Sequence, residues 1–229
     1  PMPLKHGKNL YKLKFDLPDA KLWDLETPYL YQLHAAVLVN GTCTDRLAQQ
    51  FGMRSFTQDT ESPQRKGMFY LNGRSIRLRG ANTMGFEQQD VLRGALPQLI
   101  DDILLAKICN MNFLRLTQRP VQDEVYEYCD KLGLMTQTDL PLFGVMRRFR
   151  VPEGIRQAEE MARMVRKHPC NVVVSYINEP FPNANNEPHR HLIRPELENF
   201  FTCCDLVVKL SNPDQVIKHV DGDYDPPTD

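Results

Sequence analysis

The chain has 229 residues, with 28 Lys and Arg against 29 Asp and Glu, and 41% of its residues are apolar. At a prior of roughly 150 residues per domain, this length allows one large or two small domains. The near-balance of charge leaves no net field to draw in nucleic acid or an anionic membrane surface. No stretch approaches the roughly 18 apolar residues of a membrane span. A soluble protein with a neutral partner is therefore expected.

The sequence opens on Pro1 with no charged and apolar leader pattern, so any targeting segment is expected outside it, in a longer polypeptide. From Tyr29, the residues Tyr29, Tyr31, Leu33, Ala35, Val37 and Val39 alternate with their neighbours up to Asn40-Gly41, a dipeptide that accepts the positive φ of a tight hairpin turn. Phe69 to Leu71, Asn72-Gly73 and Arg74 to Ile76 repeat that signal. The first third is thus antiparallel β structure, and Trp23, the one tryptophan, reads as part of its core.

After residue 95 the apolar spacing becomes helical: Leu96, Ile100, Ile103, Leu104 and Ile108, then Val121, Val125, Tyr128, Cys129 and Leu132, with Gly133 placed to close the second helix. Pro195 opens a later helix carrying Leu197, Phe200, Phe201, Cys204 and Val208, which Asn212-Pro213 stops. Short apolar runs alternate with the helices at Ile76 to Arg79, Asn112 to Leu116, Leu134 to Thr138, Val172 to Tyr176 and Val216 to His219. That grammar predicts a parallel sheet wrapped by helices, either doubly wound or a (β/α)8 barrel. The first strand runs into RGANTMGFE, which lacks the GxGxxG of a dinucleotide-binding sheet, so the barrel is preferred. Four strand and helix pairs plus a fifth strand are about half of one. The run VVVSYINEP (Val172 to Pro180) stands out as a buried strand that delivers a carboxylate, Glu179, to its carboxyl end.

In order along the chain, these segments resemble glycoside hydrolase family 2, which includes β-galactosidases, β-glucuronidases and β-mannosidases. LWDLETPYLYQL (Leu22 to Leu33) and FGMR (Phe51 to Arg54) look like the closing strands of that family's immunoglobulin-like sandwich. FYLNGRSIRLRGAN (Phe69 to Asn82) resembles the entry to its barrel, and MNFLRLTQRP (Met111 to Pro120) with YEYCDKLGL (Tyr126 to Leu134) its second strand and helix. HPCNVVVSYINEP (His168 to Pro180) is similar to the fourth strand, which carries the family's Asn-Glu pair. The resemblance implies a partial (β/α)8 barrel over residues 61–229, preceded over residues 1–60 by part of an immunoglobulin-like β-sandwich.

It also implies a retaining exo-β-glycosidase acting on terminal β-linked sugars. One carboxylic acid protonates the departing oxygen while a second carboxylate attacks the anomeric carbon from the opposite face. Glu179 matches the general acid/base, and Asn178 would hydrogen-bond the sugar 2-hydroxyl. Arg115, Asp139 and Asn82, at other strand ends, are further substrate-binding candidates. Arg115 and Asp139 read about equally well as a structural ion pair, and Asn82 as a turn residue. The second carboxylate comes from a later strand in the family, so residues 1–229 alone are expected to show no turnover. Two departures blur the sugar: Gln118 and Arg119 stand where family members commonly carry His and an aromatic, and Thr83 to Glu87 replaces a basic and His-Glu cluster. TQTDLPLFG (Thr136 to Gly144) leans toward the mannosidase form.

The remaining candidates read as structural. The six cysteines form no CxxC pair, which argues against zinc and for reduced, buried thiols. His168, before Pro169, reads as capping a helix. His189 and His191 lack a third ligand, and Asp221, Asp223 and Asp225 lack the Gly and closing Glu of a calcium loop, so no metal or other cofactor is expected. Asn40-Gly41-Thr42 fits a glycosylation acceptor but is explained by the hairpin. Compartment and oligomeric state stay open. A non-catalytic carbohydrate-binding protein on a degenerate glycosidase scaffold is the second reading, and a generic α/β nucleotide binder the third.

Overall fold

The computed structural model describes residues 2–144, 146–180 and 193–222; His189, His191, Asp223 and Asp225 lie outside them. The alternating segment runs as β1 (Tyr31–Val39) and turns through Asn40 and Gly41, both at positive φ, into the antiparallel β2 (Thr42–Phe51). A second antiparallel sheet joins β3 (Phe56–Gln58), β4 (Phe69–Leu71) and β5 (Arg74–Ile76). Its tight turn is Asn72-Gly73, again at positive φ.

The parallel part begins at β6 (Gly80–Thr83), not over Ile76 to Arg79. Residues up to Ile76 are taken by the ladder with β4, and Gly80 is where the chain can close on its neighbour: a Cβ there would lie 1.8 Å from the Phe113 carbonyl oxygen. Then come α1 (Phe86–Leu92), α2 (Leu96–Ile108), β7 (Phe113–Leu116), α3 (Asp123–Leu132), β8 (Met135–Asp139), α4 (Val151–Val165), β9 (Asn171–Asn178), α5 (Arg194–Ser211) and β10 (Val216–Asp221). The sheet order is β10-β9-β8-β7-β6, with every pairing parallel. Strands added in sequence order through helical crossovers are the winding of a barrel, whereas a doubly wound sheet reverses its order at a switch point.

Local sequence explains the helices. Asp123 and Glu124 open α3 and Lys131 closes it, favourable charges at the two ends of its dipole, and Gly133 at φ 70° ends it. Its buried face carries Val125, Tyr126 and Cys129, with Tyr126 rather than Tyr128 inward. On α2 the buried residues are Leu99 and Ile103, while Ile108 is 81% exposed, so the predicted stripe is rotated. The five residues expected on the inner face of α5 are the ones it buries. α4 packs on it so closely that a Cβ at Gly154 would lie 2.9 Å from the Phe200 ring. All eight residues of β9 are buried, as befits a strand inside a parallel sheet.

Two anchors seat the antiparallel part on the end of the barrel opposite the strand tips. Trp23, fully buried, donates its indole N–H to the Asp130 carbonyl at 2.7 Å. Arg54 donates to the carbonyls of Pro169 at 3.0 Å and Asn171 at 2.6 Å. His168 is no cap: buried, it stacks on Tyr126 and pairs through Nδ1 with the Asp130 carboxylate at 2.7 Å. The pull of a buried carboxylate outweighs the helix end here. The cysteines are unpaired, but only Cys129, Cys170 and Cys204 are buried; Cys43, Cys109 and Cys203 are exposed. No helix among the described residues is long and apolar enough to cross a membrane, and no group of three His, Cys, Asp or Glu there could hold a metal ion.

Candidate active site

Parallel strands deliver their last residues to one rim, and side chains two apart on a strand share a face. The ladder aligns Asn82 with Arg115 and Arg115 with Gln137, then Asp139 with Ser175 and Asn178 with Asp221. Arg115, Asp139 and Asn178 thereby meet at the tips of β7, β8 and β9; Glu179 follows Asn178 directly in the chain, and Asn82 stands beside Arg115 on β6.

Arg115 is the hub. Its guanidinium, 9% exposed, donates to Asp139 Oδ2 at 2.9 and 2.6 Å and to Asn178 Oδ1 at 2.7 Å, and it lies 3.4 Å from Asp221. The ion pair between Arg115 and Asp139 is thus made across adjacent strand ends. Asp139 also accepts the Gln118 N–H at 3.0 Å, which the left-handed backbone of Gln118 (φ 66°) turns toward it. Burial pushes the Asp139 carboxyl up from its ordinary value, and the hydrogen bonds from Arg115, Gln118 and Gln137 hold it back only in part. Arginine has donors and no acceptor, so the oxygen of the Asn178 amide must face it. The Asn178 NH2 group then has no hydrogen-bond partner among the described residues.

Glu179, half-buried, follows at φ 47° and donates its N–H to the Asp221 carbonyl at 2.8 Å. A left-handed backbone on a residue with a side chain is uncommon and marks a constrained position. Asn82 is exposed and lines an open hollow of about 260 Å³ on the inner face of the sheet with Phe113, Arg115, Gln137, Lys218 and Asp221.

Two members of this network were not singled out for the site. Gln137 bridges Asp139 at 2.9 Å and Asp221 at 2.8 Å from one Nε2, and Lys218 pairs with Asp221. Gln137 could have been found as the residue two before Asp139 on the same strand, facing the same way. Nothing local marks Lys218. Asp221, weighed from sequence against a calcium loop, ends a strand, and its carboxylate is buried.

The comparisons with known proteins agree with the fold. The family model for the TIM barrel domain of glycosyl hydrolases family 2 matches residues 64–197, and a second family 2 model matches residues 3–54. A Formosa agariphila protein provisionally named a β-glucuronidase is 36% identical over 60% of this chain and 16% of its own length. A β-galactosidase of Lactococcus lactis is 28% identical over 80% of this chain and 18% of its own length. The chain therefore spans less than a fifth of these relatives. The crystal structure of Parabacteroides merdae β-glucuronidase superposes with a TM-score of 0.69 at 20% identity, covering 86% of this chain and 24% of that one, a likeness of fold. With the barrel model covering more than half of its residues, the chain belongs to glycosyl hydrolases family 2.

Proposed function

We propose that this chain carries the acid/base half of a retaining exo-β-glycosidase that hydrolyses terminal β-linked sugars. The observation that carries the reading is the Asn178-Glu179 pair at the carboxyl end of β9, its Asn amide oriented by Arg115 at 2.7 Å. In the first step Glu179 gives its proton to the glycosidic oxygen as the bond to the anomeric carbon breaks. A carboxylate from elsewhere in the protein takes that carbon, and in the second step Glu179 removes a proton from the water that releases the sugar. Asn178 Nδ2 donates to the sugar 2-hydroxyl. Arg115 and Asp139 face each other, so they hold Asn178 in place and offer the sugar little; Asn82 faces the open hollow and is the better contact. The carbohydrate substrate is inferred from the relatives, whose names include both β-glucuronidases and β-galactosidases. The division into residues 1–60 and 61–229 is supported by the separate model matches over 3–54 and 64–197.

Glu179→Gln is the test. In the protein that carries this chain, the substitution is expected to abolish hydrolysis of phenyl β-glycosides while sparing binding of the sugar. Unchanged turnover sinks the assignment. The alternative, a non-catalytic carbohydrate-binding protein on the same scaffold, predicts sugar binding with no turnover to lose.

A further inference from the structure

Glu179 is held in its left-handed conformation from both sides. On one, the Asn178 N–H donates to the Leu142 carbonyl at 2.9 Å and the Gly144 N–H to the Asn178 carbonyl at 2.7 Å. On the other, the Glu179 N–H donates to the main-chain carbonyl of Asp221 at 2.8 Å. Asp221 is itself immobilised: its carboxylate accepts from Gln137 at 2.8 Å, pairs with Lys218, and lies 3.4 Å from Arg115. The next residue, Gly222, turns at φ +73°, and a Cβ at that position would lie 3.0 Å from Glu179 Cγ and 3.7 Å from its Oε1. The acidic side chain therefore runs along bare backbone, where any residue but glycine would press on it.

We propose that Asp221 and Gly222, at the tip of β10, are positioning residues that aim the Glu179 carboxyl at the leaving-group oxygen. Asp221 fixes the backbone from which the carboxyl projects. Gly222 leaves the groove in which its stem lies. Neither group touches the reacting atoms. The inference rests on the reading of Glu179 as the acid/base, and it adds a tuning element from a strand with no assigned part in the chemistry. Proton transfer is steep in distance and angle, and a displacement of about 1 Å costs on the order of 10²-fold in rate.

Leaving groups separate this role from a merely structural one. A dinitrophenolate departs without a proton, whereas a phenolate needs one, so a misaimed acid slows only the second. Gly222→Ala, Asp221→Asn and Glu179→Gln are made in the protein that carries this chain, and kcat/KM is measured on dinitrophenyl and phenyl β-glycosides of the sugar it cleaves. Gly222→Ala is expected to lose about 10²-fold on the phenyl substrate and to stay near the parent on the dinitrophenyl one. Asp221→Asn is expected to show the same selectivity with a smaller loss, and it decides alone where Gly222→Ala fails to fold. Equal losses on both substrates, or no loss, overturn the positioning role. If Glu179→Gln itself loses both equally, the acid reading falls and the positioning role with it. Selective loss in Glu179→Gln without selective loss in the β10 variants removes the positioning role alone.

Discussion

Arg115→Met keeps most of the side-chain stem and removes the guanidinium that donates to Asp139 at 2.9 and 2.6 Å and to Asn178 at 2.7 Å. Asp139, 3% exposed, then keeps as donors the Gln118 N–H at 3.0 Å and Gln137 at 2.9 Å. Removing one partner of a buried pair costs about 3–5 kcal/mol. At about 2–4 °C per kcal/mol for a protein of this size, Tm should fall by about 6–20 °C. The loss should also depend on pH. Burial already raises the Asp139 carboxyl above its unfolded value, and without Arg115 it rises further. A carboxyl raised on folding binds its proton more tightly in the folded state, so stability falls as pH rises through the window between the two values. The deficit of Arg115→Met is therefore smallest near the unfolded carboxyl value of about 4 and reaches its full size above the folded value. Thermal unfolding followed by circular dichroism across pH measures it, with Asp139→Asn and the double variant as controls. The double variant should recover much of the loss, since no unpaired charge stays buried. A pH-independent deficit, or single losses that merely add, would refute the reasoning.

Gly133→Ala should destabilise the protein by at least about 1–2 kcal/mol, the cost of a left-handed alanine. Its Cβ would also lie 2.3 Å from the Leu25 carbonyl oxygen, at the seam between the antiparallel strands and the barrel. Urea unfolding checks this, and a loss well under about 1 kcal/mol contradicts it. Residues 1–229, expressed alone, should hydrolyse no aryl β-glycoside: among the described residues at the strand tips, Asp139 and Asp221 are buried and engaged with Arg115, Gln137 and Lys218, so neither is free to attack the anomeric carbon. Measurable release of aryl alcohol by that purified chain contradicts the prediction.

Much of this protein is written in local pattern. Both Asn-Gly hairpins, the left-handed stop at Gly133, the buried face of α5 and the strand that ends in Asn178-Glu179 are short-range consequences of backbone preference and apolar spacing, so they could be read from adjacent residues. Where packing overrode pattern, the reading slipped. The stripe on α2 rotated to Leu99 and Ile103, His168 turned inward to Asp130, and the first barrel strand moved to Gly80, whose missing side chain allows the close approach to Phe113. The site divides in the same way. Glu179 could be proposed from the strand run that delivers it, and Asn178, Arg115 and Asp139 from the family resemblance of their segments, but a ladder register is a long-range fact. It alone decided that Gln137 bridges two carboxylates, that Arg115 fixes the Asn178 amide, and that Asp221 and Gly222, more than 40 positions beyond Glu179 in the chain, lie against it.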